Sequence, residues 1–357
     1  MDVNKGDDAN PKYRSRLVAR QLKAQDRSGN SYFAPTPPLE ALRTVLSLAA
    51  TKLGSWQPNY SPASETRTQI SLIDISRAYF NAEVDSSQPT YVSLPQEEEG
   101  HEEKCGMLLR HMYGTRAAAD GWQEEYSSFI VKDLGFRQGT SSACIFRHDD
   151  KQIYLSVHGD DFTAVGAKNN LDWFEEQMKG HYELTMQPRL GPGENDSKEA
   201  IVLNRVIRWT SKGIEMEADP RQAEKLIAEC GMENVNSVAT PGIRQSFAEV
   251  EKDEPLPERL HTAFRGAAAR ANYLAADRLD CQFAAKEICR WMAKPSMSSW
   301  GSLKRLCRYL VGLPRLVHVY QWQTAYMIDV YTDTDWGGCP RTRRAPTEGA
   351  SCLESIR

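Results

Sequence analysis

At 357 residues, 40% hydrophobic and 26% charged, the chain can build two or three domains with real cores, which excludes disorder as its main state. The formal net charge of −4 excludes a generally basic surface, so any grip on a nucleic-acid backbone must come from locally clustered Lys and Arg. The eight cysteines form no CxxC pair, and neither a secretory signal nor a long apolar run occurs, so a reducing, intracellular setting, cytoplasmic or nuclear, is expected, with no membrane span.

In chain order, the polar start 1–10 reads as frayed. Residues 39–50 (LEALRTVLSLAA) have apolar positions at helical spacing. Residues 69–75 (QISLIDI) read as a half-buried alternating strand with Asp74 at its end, before a short helical turn over 77–81. An amphipathic helix is expected over 117–134, closed by Gly135. Two β-rich runs, 153–157 and 162–165, flank His158-Gly159-Asp160-Asp161 as a hairpin, and a helix follows over 170–179. Strand, helix, hairpin and helix make an α+β order with an antiparallel sheet.

The stretches 187–198 and 241–258 combine Pro, Gly and charge and read as breaks. After them, 264–293 is Ala-rich and helical, and Ser298 or Ser299 is a candidate cap for a further helix that Gly312 and Pro314 stop. On that helix Trp300, Leu303, Cys307, Leu310 and Val311 make an apolar stripe, with Lys304, Arg305 and Arg308 on another side. Between Lys286 and Arg315 seven basic residues face one acid, Glu287. Residues 327–332 read as a strand leading into Asp333.

The chemistry centres on three acids. Two-metal phosphoryl transfer needs hard carboxylate oxygens that hold both Mg²⁺ ions, one activating a hydroxyl and the other neutralising the leaving group. Adjacent carboxylates in a tight turn, Asp160 and Asp161, with Asp74 from a neighbouring strand, can provide them; Gly159 leaves room for close approach. The plainer alternatives are that Gly-Asp-Asp is turn chemistry and that Asp74 caps the following turn. Tyr79 can stack under a nucleotide sugar or simply fill the core.

Residues 12–21 (KYRSRLVARQ), 33–50, 71–84 (SLIDISRAYFNAEV), 91–95 (YVSLP), 112–122 (MYGTRAAADGW), 134–146, 157–162 (VHGDDF), 213–232, 239–241, 269–310 and 331–344 (YTDTDWGGCPRTRR) occur together in one order. In that order the chain resembles the reverse transcriptase of copia-type long-terminal-repeat retrotransposons over nearly its whole length. The resemblance implies a right-hand polymerase: fingers and palm over 11–186, a thumb and helical connection over 200–325, and the start of a ribonuclease H domain over 326–357. Asp74, Asp160 and Asp161 then become the catalytic carboxylates and Mg²⁺ ligands (two ions, with Mn²⁺ as a substitute). Tyr79 becomes the steric gate against a 2′-hydroxyl, and Arg16, Arg20 and Gly114 join it at the nucleotide. For Arg16 and Arg20 a solvated alternating strand stays open as the alternative. Asp333 matches the first ribonuclease H ligand, and 286–315 is expected near the template-primer duplex. A primed RNA or DNA template, deoxynucleoside triphosphates and other segments of a Pol polyprotein are the implied partners, with no membrane.

Five departures bear on activity. His158 and Gly159 stand where the family has Tyr and a hydrophobic residue, and Ala117, Ala119 and Asp120 where it has Gln, Pro and Arg. Only about ten residues precede 12–21 and few follow Asp333, so a single Asp is expected to give no ribonuclease H activity. The sequence therefore predicts an RNA-directed DNA polymerase, with a decayed, non-catalytic element that retains nucleic-acid binding as the alternative, and another metal enzyme using the same acids as a third.

Overall fold

The computed structural model describes residues 2–4, 13–15, 17–25, 29, 31–52, 68–243, 246, 252–324, 331–334 and 347–350. The chain divides into two compact units, Met1–Val45 with Asn59–Arg189 and Leu46–Pro58 with Leu190–Arg357. Helix α1 (Leu39–Ala49) buries Leu42, Val45, Leu46 and Ala49, the spacing of one helical face.

The first unit is built on a six-stranded sheet. Strand β1 (Thr68–Ile75) precedes helix α2 (Ala118–Ser128); then come β2 (Arg137–Gln138), β3 (Ile145–His148), β4 (Ile153–His158), β5 (Asp161–Ala167), helix α3 (Lys168–His181) and β6 (Leu184–Met186). The strand order is β6-β1-β5-β4-β3-β2, antiparallel throughout. This bears out the α+β order and the hairpin. Side chains alternate across a strand, so Ile73, Ile75, Phe162, Ala164, Leu155 and Val157 share one face. Trp122, Tyr126 and Ile130 from α2 and its extension and Leu171, Phe174 and Met178 from α3 join the same core.

The half-buried reading of β1 is corrected: every residue in it except Asp74 is buried. Two of its polar members, Gln69 and Ser71, are paired. Ser71 Oγ donates to Glu175 Oε1 at 2.6 Å, Arg189 Nε donates to the same oxygen at 2.6 Å, and Arg189 Nη1 donates to Gln69 Oε1 at 3.1 Å. Left unpaired, each such group would cost about 1–3 kcal/mol. Arg189 lies in the stretch that the sequence marks only as a break. The helix expected over 117–134 is present, but its last turn widens to a π turn, Phe129–Asp133, before Gly135 leaves it at φ 76°.

The second unit holds strands β7 (Glu199–Val202), β8 (Arg205–Trp209) and β9 (Gly213–Glu217), helices α4 (Pro220–Glu229), α5 (His261–Ala275), α6 (Gln282–Cys289) and α7 (Met297–Gly312), and strand β10 (Val317–Gln321). Its four-stranded antiparallel sheet, β7-β8-β9-β10, has no counterpart in the sequence reading. The helices bury Leu226, Phe264, Ala268, Ile288, Leu303, Leu306 and Leu310 together.

The Ala-rich run is helical, as expected, and is divided into α5 and α6. Between them Asp277 accepts from Arg205 Nε at 2.7 Å, and the buried Arg278 donates to Asp280 and to the carbonyls of Leu313 and Pro314. Those buried ionic groups need the chain to leave the helix there. The cap of α7 is Ser296 rather than Ser298 or Ser299. Its Oγ accepts the Ser299 N–H while Ser299 Oγ accepts the Ser296 N–H, a reciprocal capping box. Ser298 is instead held by Asp253. Asp333 lies in the strand Tyr331–Thr334, which pairs with Thr347–Ala350; the preceding residues 325–330 lie outside the described residues. Among the described residues no helix is long and apolar enough to cross a membrane.

Candidate active site

The register of the central strands brings the three predicted acids together. Asp161, first residue of β5, pairs directly with Asp74 in β1, and Thr185 of β6 pairs with Asp74 on its other side. Directly opposed residues share a face, so Asp74 and Asp161 point away from the core of Ile73 and Phe162. The β4–β5 connection is the two-residue turn Gly159-Asp160, closed by the pair His158 and Asp161. Gly159 has φ 66°, whereas Asp160 keeps a negative φ, the pattern of a type II′ turn with Gly in its first central position. Gly-Asp-Asp is thus turn chemistry and a carboxylate carrier at once. Asp74 is no cap: the short turn Ala78–Asn81 starts from Arg77, with no side-chain cap bond.

The charges conflict. Asp161 is solvent-accessible as a whole, yet its carboxyl is pushed up to about 6, first by loss of water around it and then by the negative charges of Asp160 and Asp74. Like charges directly opposed on neighbouring strands are destabilising, and a cation between them removes the cost. The donor set, all carboxylate oxygen, fits a hard divalent ion. Among the described residues, however, no three His, Cys, Asp or Glu side chains are placed to hold a metal ion by themselves.

Beyond Ile75 the chain turns at Arg77 in a left-handed conformation, φ 53° and ψ 43°, uncommon for a residue with a side chain. This swings Tyr79 beside Tyr113, with ring centroids 4.7 Å apart. Burial, and then the charge of Asp160, hold the Tyr79 phenol above its ordinary pKa, which places that ring within electrostatic reach of the hairpin. Gly114, at φ 86°, follows Tyr113 and is packed against Ala19: a Cβ on it would lie 1.8 Å from the Ala19 carbonyl oxygen. Ala19 N–H donates to Tyr113 O at 2.8 Å and Gln21 N–H to Gly114 O at 3.1 Å. The exposed Arg20 sits between those two bonds. Tyr79, Tyr113, Gly114 and the backbone on either side of Arg20 are thus linked through one set of contacts, beside the paired strands that carry Asp74 and Asp161. Arg16 lies outside the described residues. Tyr113 was missed by the sequence reading; its only signal was adjacency to Gly114.

The basic segment 286–315 is largely spent on the fold. Arg290 pairs with Glu287 at 2.9 Å, Arg305 donates to Thr240 Oγ1 at 2.8 Å, Arg308 to Asn236 O at 2.8 Å, and Arg315 to Glu217 at 2.7 Å. Lys286 and Lys304 lie over the rings of Phe283 and Trp300. Composition could not show this, because three of these six residues find partners 65 to 98 residues away in sequence.

The family described as "Reverse transcriptase (RNA-dependent DNA polymerase)" matches residues 2–244. The chain is 25% identical over 342 residues to the Retrovirus-related Pol polyprotein from transposon RE2 of Arabidopsis thaliana, covering 92% of this chain and 21% of that protein. It is 22% identical over 354 residues to the Retrovirus-related Pol polyprotein from transposon TNT 1-94 of Nicotiana tabacum, covering 94% and 24%. With the Transposon Ty1-DR1 Gag-Pol polyprotein of Saccharomyces cerevisiae it shares 26% identity over 216 residues, 60% of this chain and 11% of the relative. The chain therefore spans about a quarter or less of the length of these curated relatives. With a matching domain that holds β1, the hairpin and the acids they carry, the chain belongs to the reverse transcriptase (RNA-dependent DNA polymerase) family, as found in copia-type retrotransposon Pol polyproteins.

Proposed function

We propose that this chain extends a primer on an RNA or DNA template by nucleotidyl transfer from deoxynucleoside triphosphates, with Asp74, Asp160 and Asp161 as its catalytic carboxylates. The observation that carries the reading is the opposition of Asp74 and Asp161 on adjacent strands, with Asp160 in the turn beside them. In this reading the six-stranded sheet with α2 and α3 is the palm, the stretch around Arg16 and Arg20 belongs to the fingers within 11–186, the helices of 200–325 are thumb and connection, and 326–357 begins a ribonuclease H-like segment. Other Pol polyprotein segments are its partners.

Asp74 and Asp160 would be the main Mg²⁺ ligands, with Asp161 beside them and two ions per site; Mn²⁺ would substitute. Bound there, the metal supplies Lewis acidity that offsets phosphate charge and lowers the pKa of the attacking 3′-hydroxyl. The residues do the rest by position. Asp161, whose carboxyl is pushed up to about 6 by burial and by the charges of Asp160 and Asp74, would be returned towards its ordinary value by a cation held there. Tyr79 would bar a 2′-hydroxyl, a role supported by its packing against Tyr113 and by the influence of the Asp160 charge on its phenol. Arg20 is held by its flanking backbone bonds and can pair bidentately with a phosphate.

Primer extension on a homopolymer template with Mg²⁺ or Mn²⁺ tests this. Asp160→Asn and Asp74→Asn should each lower extension by about 10³-fold, several kcal/mol of charge stabilisation, with circular dichroism unchanged. An Asp160→Asn protein that extends at the wild-type rate would refute the assignment.

A further inference from the structure

We infer that Trp122 is a positioning residue for catalysis: its indole N–H fixes the Gly159–Asp160 peptide and so aims the Asp160 carboxylate. The inference rests on the reading of Asp160 as a catalytic ligand, and it concerns what holds that ligand in place.

A type II′ turn uses the carbonyl before its two central residues and the N–H after them to close itself, which leaves the carbonyl of the first central residue unused by the hairpin. Here that carbonyl belongs to Gly159, and Trp122 Nε1 donates to it at 2.9 Å. The next carbonyl, that of Asp160, accepts the Ile75 N–H at 3.0 Å. Both peptide groups flanking the Asp160 Cα are therefore pinned, one by α2 and the other by β1. Two fixed peptide planes fix φ and ψ at Asp160, and with them the direction of its Cα–Cβ bond.

Gly159 itself adds no side-chain packing to the turn. The residue has no side chain, and the space where its Cβ would stand has no heavy atom within 4 Å. Gly also has the widest backbone freedom, so an unpinned Gly159 would let the turn sample other conformations. Trp122 is a rigid donor: it is 2% exposed, and its ring lies 5.4 Å from Tyr126, 5.4 Å from Tyr182 and 6.5 Å from Phe162, centroid to centroid. Phe162 is the neighbour of Asp161 in β5, so the ring that supplies the bond also packs against the strand it positions.

The test is Trp122→Phe in the full chain, read three ways. Amide exchange of the peptide spanning 157–162 should accelerate by about tenfold, because losing one hydrogen bond to the turn is worth roughly that factor. The kcat for primer extension should fall by a similar factor, while KM for the primer-template is unchanged. Far-ultraviolet circular dichroism should match the wild type. Should Trp122→Phe misfold, benzothienylalanine at position 122 keeps the ring and removes only the N–H donor. Unaltered exchange over 157–162 in a folded variant that lacks the N–H donor overturns the inference, as does a fall in activity that comes wholly from weaker primer-template binding. If the wild type fails to extend a primer, or Asp160→Asn still extends it, the catalytic reading fails, whereas the exchange result still decides whether Trp122 pins the turn.

Discussion

Asp74 and Asp161 stand opposite each other where a stable sheet would place an attractive pair, and burial of the surrounding strand makes that choice costly. The glycines near them show how differently one residue type serves such a site. Gly114 is required by both conformation and space, since φ is 86° and a Cβ would meet the Ala19 carbonyl oxygen at 1.8 Å. Gly159 is required by conformation alone, with φ 66° and open space around it. Gly114→Ala should therefore cost more than about 2 kcal/mol and release the segment around Arg20, whereas Gly159→Ala should cost about 1 kcal/mol. Urea midpoints compare the two, and proteolysis near Arg20 should rise for Gly114→Ala only; equal losses would show that the backbone contact at Ala19 carries no weight. At this scale the sequence revealed the acids by their type and place in a strand, but it could not reveal Tyr113 or Trp122. Their roles depend on which backbone groups lie across from them.

Elements differ in how much of them is local. The hairpin β4–β5 was legible because two β-rich runs flank a Gly that supplies the positive φ of its turn. Helix α7 was legible in its body and stop but not in its start, because three serines stand in a row of four and only Ser296 has the extended backbone of a cap. Ser296→Ala should lower stability by about 1 kcal/mol and Ser298→Ala by less, since only the first breaks the reciprocal box. Chemical denaturation of both variants decides it; a larger loss for Ser298→Ala would move the cap. The place of β10 in its sheet went unseen because that strand comes about a hundred residues after the other three. Strand pairing over such a distance leaves no local trace.

In the second unit one acid ties separate elements together. Glu217, at the end of β9 and buried, accepts from Arg208 of β8 at 2.7 Å and from Arg315, beyond α7, at 2.7 Å. Arg315, and with it Arg208, hold the Glu217 carboxyl below its ordinary value of 4.5 despite burial. An acid whose folded pKa is depressed stabilises the fold above its unfolded pKa and loses that contribution as pH falls through the folded value. The urea midpoint should thus drop as pH is lowered from 5 towards 3, and Glu217→Gln should cost about 2 kcal/mol at pH 7 while flattening that drop. An unchanged pH profile in Glu217→Gln would assign the acid sensitivity to other carboxylates. By itself the sequence determined the antiparallel α+β order, the three acids and the family, because turn chemistry, periodicity and the order of short segments are written locally along the chain. Only the tertiary structure decided that Asp74 faces Asp161, that Trp122 holds the turn beside Asp160, and that the basic helix spends its charges on its own neighbours. Register and long-range hydrogen bonds are set by which surfaces meet when water is excluded, and no window of sequence contains both partners.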